Sequence, residues 1–473
     1  MDLHPEGREQ PGWRWGLFTF RLPFYHTRLY WPEFLQGVAL AAATGLALVP
    51  IMMASFGLTF EQAVAVAFVQ GFLIGIAPIV FGEPYAPGWV TPALPLVLTF
   101  TLTGYDTPTE RFQAMTAMCI MLAAMMTVLG LTGLGRRFVE WLPGALKAGI
   151  ILGAAIASFK RVFLDDAPDY LLAQPISTVL ALAVCLILMF SIPFRALKLR
   201  SRPLMLLGSL GLLPGFIVAA IVGPMVGEVT YNIQWGFLIP PVHEVWALAS
   251  PFAIGWPSWE MYLAAAPLAV ITYIILFGDI VTANEILRQA SQYRSDEKLS
   301  LDSTRTHLSV GIRNFLGGII APFFPLQGSV WAGGHVVVVQ RWQQGKQEMD
   351  SLFSGIHSMF FMGVPFIFFL LPLMTGLEPL MGIALTLTLA LTGFACAYVA
   401  MAIAEHPVER GVALLTGMSI ALFEPWIGLL VGLLSAFLLI GGRSAIAMEN
   451  KVLGLEQERR DETAAAEEKK RSG

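Results

Sequence analysis

Charge is what this chain has least of. Of its 473 residues only 13% are Asp, Glu, Lys or Arg, while 56% are hydrophobic. A soluble domain carries roughly a quarter charged residues, so lipid is the implied solvent for much of the chain. A mean hydropathy of +0.67 agrees. Cysteine is nearly absent as well. Cys119, Cys185 and Cys396 lie singly in apolar runs, which excludes a disulfide framework or a cysteine metal cluster and leaves them as small buried hydrophobes. There is no long basic run of the kind that binds nucleic acid. No Walker A sequence, Gly-x-Ser-x-Gly elbow, His-Glu-x-x-His or Cys-x-x-Cys occurs, so an ATP-driven pump and the familiar membrane enzymes lack support. The chain reads as a non-enzyme, with no cofactor and no protein-held metal. Met1 to Pro32 carries Arg8, Arg14, Arg21 and Arg28 but no short apolar core with a small-residue cleavage site. The first apolar run is therefore expected to be retained rather than removed as a signal peptide.

What is present is a series of apolar segments. Fourteen can be marked, at about 34–54, 60–80, 88–104, 112–134, 141–159, 174–194, 203–226, 260–284, 306–323, 328–341, 351–374, 376–401, 408–422 and 424–442, against roughly 20 residues for a spanning helix. Loop charge tests the count, because cytoplasmic loops are enriched in Lys and Arg. With the N-terminus inside, Arg136, Arg137, Arg195, Lys198, Arg200, Arg202, Arg288, Arg294, Lys298, Arg305, Arg341, Lys346 and Arg410 all fall inside, as does the tail from Arg443. The opposite loops hold only Arg111, Lys160 and Arg161, and Gly227 to Pro257 has no Lys or Arg.

The expected fold is therefore an all-α polytopic membrane protein with fourteen transmembrane segments in two seven-span repeats. Seven is odd, so the second repeat is inverted relative to the first. The expected organisation is a cytoplasmic segment 1–32, a first repeat 33–226, an extracytoplasmic linker 227–258, a second repeat 259–442 and a charged cytoplasmic tail 443–473. Both termini are expected on the cytoplasmic side of the inner membrane.

The third and tenth segments each begin in a Pro/Gly-containing stretch, Ala86-Pro87-Gly88-Trp89-Val90 and Pro325-Leu326-Gln327-Gly328-Ser329. Matched breaks in corresponding spans are the best sequence pointer to a transporter's binding site, since irregular backbone at membrane depth is tolerated only where protein buries it or it lines a cavity. The half-helix after each break turns its free amides toward the midplane, which favours an anionic or hydrogen-bond-accepting ligand. Thr91, Gln327, Gly328 and Ser329 are the expected substrate contacts, with Trp89 and Trp331 as pocket walls. Asp279, preceded by the uncharged run 272–278, is the lone acid within a span. Thr282 can share its helix face, and a carboxylate beside a hydroxyl suits a sodium ion or a shuttled proton. Arg313 is expected to snorkel to the cytoplasmic face, His335 to be a packing histidine, and Glu33, Glu61 and Glu424 to be interfacial.

Several stretches resemble the sulfate permease (SulP) family. Asn314-Phe315-Leu316-Gly317-Gly318 followed by Pro325-Leu326-Gln327-Gly328-Ser329 is similar to that family's tenth span, where a Gly-Gly region precedes a Pro-x-Thr-Gly turn. Phe277-Gly278-Asp279-Ile280 resembles its eighth span, Phe81-Gly82 with Thr91-Pro92-Ala93 its third, Leu142-Pro143 with Ala148-Gly149 its fifth, Ser354-Gly355-Ile356-His357-Ser358 its eleventh and Gly428-Leu429-Leu430-Val431-Gly432 its last. The uracil and xanthine permeases, which are nucleobase–cation symporters, share that fold. The resemblance implies short antiparallel strands at the two breaks, a core of spans 1–4 and 8–11 moving against a gate of spans 5–7 and 12–14, and a homodimer. Two departures stand out. Only about 30 residues follow Arg443, too few for the STAS domain SulP proteins usually carry there. Ala332 stands where the family has an Arg, so the fixed cation for an anion is missing at that position. Nor does Ala332-Gly333-Gly334 offer the carboxylate or amide with which nucleobase symporters hold the ring. The leading expectation is a secondary transporter of a small anion, coupled to protons or sodium. A nucleobase symporter is the first alternative, and a channel or non-transporting sensor or scaffold the second.

Overall fold

The computed structural model describes residues 2–441 apart from 199–200, 202–203, 205–206 and 209. The tail expected at 443–473 lies outside the described residues. Proline and glycine set most helix ends. α1 (Trp31–Leu40) starts on Pro32 and passes through a wide turn, Ala41–Gly45, into α2 (Val49–Phe56). α3 (Phe60–Ile76) opens on a reciprocal Thr59–Gln62 cap, which satisfies two of the orphan amides of its first turn. It continues to Phe81 and stops at Gly82, whose φ of +69° turns the chain back on itself.

After the first break come α4 (Leu94–Gly104), α5 (Pro108–Thr132), α6 (Gly135–Trp141), α7 (Gly144–Lys160), α8 (Pro175–Phe190), α9 (Ile192–Lys198) and α10 (Leu213–Val226). α11 (Val242–Ala249) lies in the expected linker. The second half holds α12 (Trp259–Ser291), α13 (Ser303–Ile320), α14 (Ala332–Trp342), α15 (Leu352–Phe369), α16 (Leu371–Ile403), α17 (Pro407–Leu422) and α18 (Pro425–Leu439). A helix overlaps each apolar segment marked in the sequence. Among the described residues five helices are long and apolar enough to cross a membrane, or up to seven if each sharply bent pair is one span. The chain is accordingly a multi-pass, predominantly helical membrane protein.

The helices pack in two groups. α5 lies against α12 and α13, α1 against α15, and α3 against α13 and α15. Separately, α7 lies against α16 and α17, and α8 against α10 and α16. Gly149 and Gly153 let α7 and α17 approach closely: a Cβ on Gly149 would stand 2.5 Å from Thr416 Cβ. Small residues four apart are the usual device for tight helix contact in lipid.

The N-terminal segment carries strands where the sequence suggested only a polar lead-in to the first span. β1 (Asp2–Leu3) and β2 (Arg8–Glu9) flank β6 (Glu297–Ser300), and β3 (Trp13–Trp15) pairs with β4 (Phe18–Phe20) as a hairpin through Gly16. Arg21 donates its backbone N–H to Ile79 O at 2.8 Å, and its guanidinium lies 3.9 Å over the Phe353 ring. Glu297 anchors the same layer, accepting from Trp342 Nε1 and Ser351 Oγ at 2.6 Å each and from Leu352 N at 3.0 Å. Burial pushes the Glu297 carboxyl above its ordinary range, and these donors and Arg294 oppose that push. Glu33, expected at an interface, is fully buried and pairs with Arg341 at 3.1 Å, tying α1 to α14.

β5 (Gly88–Trp89) and β7 (Gln327–Gly328) pair antiparallel, Gly88 opposite Gly328 and Trp89 opposite Gln327. The approach leaves no room for a side chain at Gly88, where a Cβ would stand 2.4 Å from Trp331 Cβ. Gly88→Ala is expected to lower stability by about 1–3 kcal/mol, as overpacking does. Gly104→Ala, with nothing within 4 Å of the new Cβ, should not. Thermal unfolding in detergent checks both.

Candidate functional site

The break is held from behind by α13. Arg305, Ser309, Arg313 and Gly317 recur at every fourth position and so lie on one face of that helix. Arg313, about 15 Å along the axis from Ser303 at about 1.5 Å per residue, is 0% exposed. It donates from Nη1 to Gln327 Oε1 at 3.0 Å and from Nη2 to Gly328 O at 2.8 Å. Its Nε has no hydrogen-bond partner among the described residues. Arg313 therefore does not snorkel to the cytoplasmic face. The break offers its carbonyl and amide oxygens inside the protein, and that is where the guanidinium stays.

Gln327 is the hub of this network and is 1% exposed. Its Nε2 donates to Gln70 Oε1 at 2.7 Å and to Gln70 O at 3.1 Å, and its backbone N–H donates to Asn314 Oδ1 at 3.0 Å. Asn314 Nδ2 in turn reaches Gln327 O at 2.8 Å, and Gln70 Nε2 donates to Ala321 O at 2.6 Å. Every polar atom of Gln327 is engaged by protein. Gln327, expected as a substrate contact, spends its hydrogen bonds within the protein in this structure, and Gly328 presents its carbonyl to Arg313. The two breaks are further stitched by Trp331 N–H to Ala86 O at 2.9 Å, Val90 N–H to Leu326 O at 2.9 Å and Ala86 N–H to His335 Nδ1 at 3.2 Å.

In front of this scaffold is a cavity of about 290 Å³, lined by Gln36, Leu40 and Thr44 of the first span, by Gly211–Leu213, and by Trp331, Gly333 and Gly334. It lies at the N-terminus of α14. Trp331 caps that helix with no side-chain hydrogen bond, so the first amides of α14 stay free of intrahelical partners. Ala332 and Gly333 are exposed. Gln36 Oε1 is buried without a partner among the described residues, leaving its amide able to turn either end to a guest.

Of the six expected substrate residues, only Trp331 lines this cavity. Its ring stands edge-on to Phe360 at 6.3 Å. Trp89 is half-buried and edge-on to Phe323 at 5.9 Å, and Thr91 is half-buried at the start of the turn leading into α4. Ser329 is buried with its hydroxyl unpartnered among the described residues. Asp279 is half-buried on α12, outside the cavity lining and within electrostatic reach of Cys396 on α16. Thr282 is exposed and donates its hydroxyl to Gly278 O at 3.0 Å. Among the described residues no group of three or more His, Cys, Asp or Glu could hold a metal.

Sequence reasoning missed Gln36, although a lone amide inside the first apolar run was visible. Ala332 indeed leaves the turn itself without a cation. Arg313, from the preceding helix, places a buried guanidinium behind the turn.

No protein-family model and no curated protein matches the chain. Solved structures do. The chain is similar to the transmembrane domain of BicA, a cyanobacterium bicarbonate transporter (16% identity, TM-score 0.47, covering 86% of this chain and 99% of that one). It is similar to SLC26A9 (14% identity, TM-score 0.49, 87% and 65%). It is also similar to the murine Solute Carrier 26 family member A9 anion transporter in the inward-facing state (13% identity, TM-score 0.47, 87% and 68%).

Replacing Gln327 with Leu removes the side-chain partner of Arg313 Nη1 and of Gln70 Oε1, while Asn314 keeps its bonds to the backbone of residue 327. The expected loss is about 1–3 kcal/mol for each buried polar group left unpaired, seen as a large drop in thermal unfolding midpoint. Ser329→Ala should be near neutral in the same assay.

Proposed function

We propose that the chain is a secondary transporter that carries a small anion, driven by a proton or sodium gradient. Arg313 is the observation that carries this reading. Among the described residues it makes no ion pair, yet it is fully buried at membrane depth. An unpaired buried charge is costly, and carbonyl dipoles offset only part of that cost. A guest anion at the free amides of α14 would complete the compensation, since a helix N-terminus favours negative charge. Gln36 would supply a neutral hydrogen bond and Trp331 a wall. A cavity of about 290 Å³ is at the small end for ligand sites, in keeping with an inorganic anion or a small carboxylate.

In the same reading all fourteen apolar segments cross the inner membrane with both ends cytoplasmic, as two inverted repeats. The phase of Lys and Arg in the loops supports this. The site belongs to the group of helices that includes α1, α13 and α14, and it faces the start of α10 in the other group, so a sliding of one group against the other would open it alternately.

Uptake into proteoliposomes, measured over a panel of inorganic anions, small carboxylates and nucleobases, tests the reading. Saturable uptake of one anion is expected. Arg313→Gln removes a buried positive charge from behind the site and should weaken that anion's apparent affinity about tenfold or more. Arg313→Lys, which keeps the charge, should weaken it less. Uptake of a nucleobase and no anion, or non-saturable flux, would contradict the proposal.

A further inference from the structure

The face of α13 that carries Arg313 also carries a second buried cluster, on the cytoplasmic side of the break. Glu83 follows directly on the Gly82 reversal and is 2% exposed. Its Oε2 accepts from Thr306 Oγ1 at 2.9 Å. Its Oε1 has no hydrogen-bond partner among the described residues, and neither do Arg305 Nε, Ser309 Oγ or Arg313 Nε. The Arg305 Nε to Glu83 Oε1 separation is 3.6 Å, a loose ion pair. Arg313 is within electrostatic reach of Glu83. An ionised carboxylate has about four acceptor sites; this one receives a single direct hydrogen bond.

We propose that Glu83 is the binding site for the coupling proton, and that its charge state reaches the substrate through Arg313. This rests on the anion reading above. The charged and titratable groups around Glu83 are Arg305, Arg313 and Asp302 of α13, the neighbouring Tyr85 and, from the N-terminal segment, Arg21. Arg21 lies against Gly82, where its Nη1 would stand 2.8 Å from an added Cβ. Cations therefore outnumber anions about the carboxylate. Two flanking guanidinium groups repel a sodium ion and leave the proton as the cation that fits. Asp279, by comparison, stands outside the cavity lining with no such link to it.

The sign follows from the charges. Ionised Glu83 offsets part of the field of Arg313. A proton on Glu83 removes that offset, so the anion binds more tightly. By reciprocity, a bound anion raises the proton affinity of Glu83. Proton and anion then load together, which is symport. The cluster lies beneath the N-terminal layer, next to the first turns of α13, so the proton would enter and leave on the cytoplasmic side in this conformation.

The test uses the full-length protein in detergent. The anion that stabilises it best in a thermal-shift panel is titrated from about pH 5 to pH 8, with proton uptake followed by an indicator dye in weak buffer. The wild-type protein should take up protons as the anion binds, and its Kd should rise about tenfold with pH, within the usual range for coupled sites. Glu83→Gln should bind independently of pH, as tightly as wild type does at low pH. Asp279→Asn should keep the wild-type pH dependence. Anion binding by wild type without proton uptake would overturn the assignment, and that measurement needs no variant to fold. Retained pH dependence in Glu83→Gln would overturn it as well. Failure of any anion to stabilise the wild type at any pH would instead overturn the anion reading, and this assignment with it.

Discussion

The second chain break is held by one buried guanidinium. Arg313 ties Gln327 and Gly328 together from behind, and through Gln327 it reaches Gln70 on α3. Backbone that leaves a helix at membrane depth must find partners inside the protein. Here the partners are side chains of α3 and α13, and their geometry fixes where α14 begins. The free amides of α14, the cavity in front of them and the pairing of β5 with β7 all follow from that placement.

The same guanidinium connects structure to function. Carbonyl and amide oxygens hold it in place but do not neutralise it. Glu83 lies within electrostatic reach and offsets part of its field, while its own loose ion pair is with Arg305. A positive potential is thus built into the scaffold rather than into the cavity wall, and the wall itself can stay largely apolar. An anion would meet helix amides, an amide side chain and a shielded charge, an arrangement that allows binding without trapping the solute.

Much of the helical framework was legible in the sequence, because long apolar runs in a chain so poor in charge need lipid around them. The breaks were legible too. Pro87, Gly88, Pro325 and Gly328 mark stretches that cannot continue a helix, and these are the stretches that pair as β5 and β7. The site was only partly legible. Trp331 was found by its proximity to the break. Gln327 was singled out by its place at the break, but sequence shows a polar residue without showing that its neighbours consume its hydrogen bonds. Arg313 was assigned to the membrane surface because snorkelling depends on which way a side chain points, and that is set by α13 packing against the break. Glu83 lies between the second and third apolar segments and carried no expectation, because the reversal at Gly82 that folds it inward is a tertiary event. The strands of the N-terminal segment were within reach: Trp13-Arg14-Trp15 and Phe18-Thr19-Phe20 alternate as a hairpin does.

The most direct measurement is the position of a bound anion, located by anomalous scattering from bromide or by density for the best-stabilising anion in an experimental structure. The account predicts that it lies in the cavity between α1 and the N-terminus of α14, within hydrogen-bond reach of the Gly333 or Gly334 amide and on the opposite side of β7 from Arg313. An anion seated against Asp279, or anywhere else in a protein that still transports it, would contradict the account.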